Sequence, residues 1–136
     1  MDIENFKSLK LKAEKDLIVN ETNAADKSLE FARLYSKYTS LYMQELRILK
    51  QMSTDRDKLY GDLYHKLKFK NDYQLDSSKE IDIYIKSDES YYNKCLEFQN
   101  QEIVVKYLEE TLQNITVTGY RIKNYVDLLK LKMGLK

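Results

Sequence analysis

Proline is absent from these 136 residues, and glycine occurs three times, at Gly61, Gly119 and Gly134. Both residues interrupt helices, proline by removing a donor and crowding the preceding turn, glycine through its backbone entropy. A chain that is 33% charged and so poor in breakers is expected to build long helices. Cysteine occurs once, at Cys95, so no internal disulfide can form and a reducing compartment is the simplest setting. Histidine also occurs once, at His65, which leaves neither a zinc cluster nor a Cys/His nucleophile pair. No glycine-rich phosphate loop is present. No apolar run approaches the roughly 18 residues of a membrane span, and the opening MDIENFKSLK lacks the apolar core of a signal peptide. These absences predict a soluble, intracellular, non-enzymatic protein with no metal, no cofactor and no membrane partner. The many acidic residues read as solvated charge on helix faces rather than as acid–base pairs.

What is present is helical period. Residues 2–17 place Ile3, Phe6, Leu9 and Ala13 on one face of a short amphipathic helix. Val19 to Asn23 read as a turn, with Asn23 as a cap for the next helix. Over 24–70, Leu34, Tyr38, Leu41, Ile48, Met52 and Leu59 recur at helical steps, interrupted by Glu45 and Asp55; Tyr35, Tyr42, Leu46, Leu49, Leu63 and Leu67 widen the stripe. Such a helix spans roughly 65–70 Å at about 1.5 Å per residue, which predicts an elongated molecule. Residues 71–87 read as a loop followed by a short element. There, Ile81, Ile83 and Ile85 alternate with polar positions like a strand, while Ser77 and Glu80 stand at capping-box spacing for a short helix. The absence of a partner strand favours the helix.

From 88 to 133 the pattern is a heptad seam: Val105, Leu108, Leu112, Ile115, Gly119, Ile122, Val126, Leu129 and Met133. It keeps phase through Gly119, so one continuous helix is expected there, with the glycine marking either a close backbone approach or a weak point. Toward the end Tyr125, Leu128, Leu131 and Leu135 broaden the apolar surface beyond one face. The fold class is all-α: an elongated helical protomer, one domain over 1–136, with one short and two long helices. Two long helices and a short one cover each other only in part, so self-association through the carboxyl-terminal seam is expected.

Net charge is only +1, but it is segregated. Residues 45–70 hold seven basic and four acidic groups, residues 71–90 two and six, and residues 120–136 five and one. Basic side chains interleaved with aromatic rings suit a single nucleic-acid strand, the cations meeting phosphates and the rings meeting unstacked bases. The candidate contacts are Arg56, Lys58, Lys66, Lys68 and Lys70, with Tyr60 and Tyr64 as stacking rings and Arg121 and Lys123 as a second cluster. By pattern alone, a lysine run on a helix face is more often simple solvation, and Tyr64 and Phe69 also read as core.

Four collinear stretches carry a family resemblance: Leu34-Tyr35-Ser36-Lys37-Tyr38; Asp55-Arg56-Asp57-Lys58-Leu59-Tyr60 leading to Tyr64-His65; Lys79-Glu80-Ile81-Asp82-Ile83-Tyr84-Ile85; and Gly119-Tyr120-Arg121-Ile122-Lys123-Asn124 with Gly134 beyond. The chain resembles the UvsY recombination mediators of T-even-type phages, including marine relatives. The resemblance implies a ring-shaped homo-oligomer, a hexamer or heptamer, joined through the carboxyl-terminal helices. It also implies binding to single-stranded DNA, partnership with a RecA-like recombinase and a phage single-strand-binding protein, and a place in the cytoplasm of the infected bacterial host. The family's DNA-binding stretch falls on Lys58 and its surroundings, with Tyr60 standing where a second basic residue is expected and Arg56 nearby to compensate. The competing expectation is a coiled-coil assembly adaptor with no nucleic-acid contact.

Overall fold

The computed structural model describes residues 1–18, 24–69 and 77–134, with side chains of 24–29 outside the description. The expected turn at 19–23 with its Asn23 cap, the loop residues 71–76, Lys70 and Leu135 lie outside the described residues. Every described element is a helix: α1 (Ile3–Asp16), α2 (Ala24–Phe69), α3 (Ser78–Ser87) and α4 (Glu89–Lys132). Asp2 caps α1, its carboxylate accepting from the Asn5 backbone N–H at 2.7 Å. At the far end of α4, Gly134 adopts φ 68°, and its N–H bonds the Leu131 carbonyl at 3.1 Å. Glycine takes that left-handed conformation without the Cβ penalty other residues meet.

The short element at 78–87 is helical for a reason visible in its burial. Ile81 and Ile85 are fully buried while Ile83, between them, is 57% exposed. On a strand all three would share one face; on a helix only the four-residue pair does. Ser77 occupies the cap position, but its hydroxyl makes no capping bond, so the expected capping box does not form.

The described chain gathers into two compact units: Met1–Glu45 with Val104–Lys136, and Leu46–Ile103. In the first unit the core is Ala13 of α1, Tyr38 of α2, and Val104, Leu108 and Ile115 of α4, with Phe6, Leu9, Phe31, Leu34, Leu41 and Leu112 packed around it. Phe6 meets Tyr107 edge to face at 5.6 Å. The fully buried Tyr38 donates its hydroxyl to Asp16 at 2.7 Å, and Lys37 reaches the same carboxylate oxygen at 3.0 Å. Burial, reinforced by the Asp16 carboxylate, drives the Tyr38 phenol well above its ordinary pKa, so it remains a donor. Glu45, an interruption of the stripe in sequence, is buried and pairs with the Met1 amino group at 4.0 Å.

The heptad seam of α4 is occupied within the protomer over most of its length. Val105, Leu108, Ile115 and Ile122 are buried, Leu112 packs on the core, and Gly119 and Val126 are half-buried. Only Leu129 (39%) and Met133 (71%) open to solvent. Gly119 marks a close approach: a Cβ built there would overlap the ring of Phe31, whereas one built on Gly61 would meet nothing. The two glycines therefore carry opposite predictions. Gly61→Ala should stabilise the protein by up to about 1 kcal/mol, the helix-propensity difference. Gly119→Ala should destabilise it by roughly 1–2 kcal/mol, because displacing a packed ring outweighs that gain. Urea denaturation of both variants checks this, and two shifts of the same sign would contradict it.

Candidate nucleic-acid interface

The second unit contains most of the residues the sequence nominates. Along α2 the side chains of Leu59, Leu63 and Leu67 turn inward, half-buried, while Arg47, Lys50, Lys58, His65 and Lys68 are exposed. At about 100° per residue these five fall within one outward sector of the helix. Arg47 and Lys50 lie outside the set nominated from sequence; the helical spacing that joins them to Lys58 was the available signal.

Other nominated residues face elsewhere. Arg56 is turned toward α4, its guanidinium 4.3 Å from the centre of the Phe98 ring and its Nε 3.5 Å from Asp57. Lys66 and Lys68 are two residues apart and so project about 200° from one another. Lys68 lies over the rings of Tyr64 and Phe69, at 5.8 and 5.5 Å. Lys66 lines a cleft at the junction of α3 and α4, beside Asp88. The basic run in the sequence is thus two surfaces, not one. Arg121 and Lys123 belong to the first unit, both exposed. Lys123 edges a shallow depression with Phe31, Ile122 and Lys130.

Tyr60 is engaged inside its unit. Its hydroxyl donates to Asp82 of α3 at 2.6 Å, and its ring stacks near Tyr64 (centroids 6.4 Å) and tilts against Tyr91 (5.7 Å). Lys86 holds the other oxygen of Asp82 at 2.9 Å. The Tyr60 hydrogen bond, followed by the one from Lys86, lowers the Asp82 pKa, and the same bond pushes the Tyr60 phenol up to about 12. The depressed Asp82 contributes stability above the ordinary carboxylate range that is lost as pH falls through its lowered value. The raised Tyr60 contributes stability below about pH 10, its unfolded pKa, that is lost as pH rises through about 12. Tyr60→Phe should therefore move the Asp82 pKa upward while leaving the helices in place. Carboxyl-carbon NMR titration reads this directly, and an unmoved Asp82 would show the bond to be unimportant in solution. Tyr64, the other nominated ring, is half-buried with its hydroxyl 3.1 Å from that of Ser78.

No group of three or more His, Cys, Asp or Glu side chains among the described residues is placed to hold a metal ion. No described helix is long and apolar enough to cross a membrane. With no strand among its described residues, the chain is of the all-α class and carries an outward cationic helix face flanked by rings. Within that class the chain belongs to the UvsY family: the family model described as "Recombination, repair and ssDNA binding protein UvsY" matches residues 12–135. No curated protein matches the sequence. Among solved structures, the fold is similar to that of the bacteriophage T4 recombination mediator protein UvsY. One crystal form gives a TM-score of 0.81 at 14% identity, covering 93% of this chain and 98% of that one. A second gives 0.81 at 16% identity, covering 98% of both chains. At these identities the likeness is one of fold.

Proposed function

We propose that this protein is a recombination mediator: a homo-oligomer that binds single-stranded DNA and helps load a RecA-like recombinase in place of a single-strand-binding protein. Its setting is homologous recombination, repair and replication of a phage in the cytoplasm of its bacterial host. The observation that carries this reading is the family match over residues 12–135. The exposed sector of Arg47, Lys50, Lys58 and Lys68 on α2 supports it, since cations spaced along one helix face can follow a phosphate backbone without reading sequence. Lys66 borders the adjoining cleft, and Arg121 and Lys123 form a secondary set. ATP chemistry falls to the recombinase.

Assembly, on this reading, uses apolar surface that the protomer leaves open. In the first unit this is Leu128 (56%), Leu131 (73%) and Met133 (71%) at the end of α4, continuous with the half-buried Val126. The buried part of the seam, from Val105 to Ile122, acts indirectly by fixing α4 in place. A closed hexamer or heptamer would multiply weak single-site contacts through high effective concentration.

The test is a titration of labelled oligo-dT at low and moderate salt, with oligomer mass measured on the same sample. Binding that weakens steeply with salt supports the mediator. An intact oligomer that binds nothing at low salt would leave an assembly adaptor instead.

A further inference from the structure

Inside the second unit lies a cleft of about 300 Å³ that the basic face does not use. Leu63 and Leu67 of α2 and the fully buried Ile85 of α3 give it an apolar lining. Tyr84, 53% exposed, lines it as well. Lys66 and Asp88 add opposite charges to the lining. A cleft of this size, at the lower end of the roughly 300–1,000 Å³ typical of ligand sites, admits one flat ring and its sugar rather than an extended peptide.

Asp88 is held in a fixed pose. It precedes α4, and its Oδ1 accepts from the Tyr91 backbone N–H at 3.1 Å and from the Ser90 hydroxyl. Both of these bonds fall on Oδ1, and a Ser90 backbone bond also bears on the carboxylate. The Ser90 hydroxyl bond, the Tyr91 backbone bond and the charge of Lys66 together lower its pKa, so at neutral pH it is an anionic acceptor.

Resting on the single-strand reading above, we propose that this cleft receives one unstacked base of the bound strand. Lys66 contacts the adjoining phosphate, Tyr84 covers the ring, and Asp88 accepts from an exocyclic amino group. The lining supplies both charges a nucleotide calls for: a cation for the phosphate and an anion for an amino group. It also confers a preference. Cytosine presents an amino donor to a carboxylate. Thymine offers only an N3–H flanked by two carbonyl oxygens, which repel the carboxylate. A protein whose outward face ignores sequence would thus carry one discriminating subsite per protomer.

The experiment compares oligo-dC with oligo-dT of equal length, at neutral pH and fixed salt, against the full-length oligomer. Wild type should bind oligo-dC about threefold or more tightly than oligo-dT. Asp88→Asn keeps a side chain equally able to cap α4 and should reduce that ratio toward one. Tyr84→Ala should weaken both ligands by roughly five- to tenfold with an unchanged salt slope, whereas Tyr84→Phe should stay close to wild type, because the ring rather than the hydroxyl makes the contact. Salt-dependent binding with equal affinities and no effect of Tyr84→Ala overturns the subsite while leaving the single-strand reading intact. Failure of both oligonucleotides to bind at low salt overturns the two together.

Discussion

A protein carrying Lys58→Gln, Lys66→Gln and Lys68→Gln together is expected to bind oligo-dT more weakly and with a flatter salt dependence than wild type. The size of the effect follows from counterion release. Each phosphate neutralised on a single strand contributes about 0.7 to the log–log slope, so removing three lowers the slope by about 2. The affinity lost between 50 and 200 mM salt should then shrink by roughly 15- to 20-fold. All three side chains are exposed, so helicity and oligomer mass should not change. The geometry adds a finer expectation. Lys58 and Lys68 share the outward sector of α2, whereas Lys66 projects toward the cleft at α3 and α4. The Lys58/Lys68 double variant should account for most of the change in slope on any base composition. A triple variant that binds like wild type would place the contacts elsewhere, with Arg121 and Lys123 the next to test.

The second large effect concerns α4, where burial separates residues that the heptad pattern groups together. Leu108→Ala should cost about 2–5 kcal/mol, the range for deleting a fully buried leucine side chain and leaving a cavity. Leu108 is 0% exposed and sits in the core of the first unit. Leu131, at 73% exposure, has no such role in the protomer. Leu128→Glu with Leu131→Glu should leave the helical signal intact and lower the oligomer mass in sedimentation. A cooperative loss of helicity in the double glutamate variant, or an unchanged mass, would remove the end of α4 as the assembly surface. Because the two variants act on different equilibria, one experiment cannot stand in for the other.

Much of the fold was legible in the sequence. The scarcity of breakers and the three- and four-residue apolar steps specified helices, and the pairing of Ile81 with Ile85 resolved the ambiguous segment once burial was known. Period tells which residues share a face; it does not tell what covers that face. The seam from Val105 to Ile122 reads equally well as a contact between protomers or as a contact with the chain's own helices; within the protomer Leu108, Leu112 and Ile115 pack with Ala13 of α1 and Tyr38 of α2. The candidate site was legible in composition but not in direction. Lys66 and Lys68 look like one patch in a linear string, and the helical rotation of about 100° per residue separates them. Arg56, expected from sequence to compensate for Tyr60, lies over the ring of Phe98, a contact distant along the chain that local spacing does not announce. The Tyr60–Asp82 bond joins residues 22 positions apart, and no local pattern announces it.

The contact between Phe31 and Gly119 also has a consequence for sequence drift. Because a side chain at position 119 would occupy the space of the Phe31 ring, the two positions are free to vary only together. A lineage that acquires alanine or serine at 119 is expected to carry a smaller residue at 31, and a lineage that keeps the aromatic ring should keep the glycine. Engineered separately, Gly119→Ala and Phe31→Leu should each be harmful; combined, they should recover stability beyond the sum of their effects. Covariation at 31 and 119 across relatives would then be a record of packing in the first unit, independent of any selection on DNA binding.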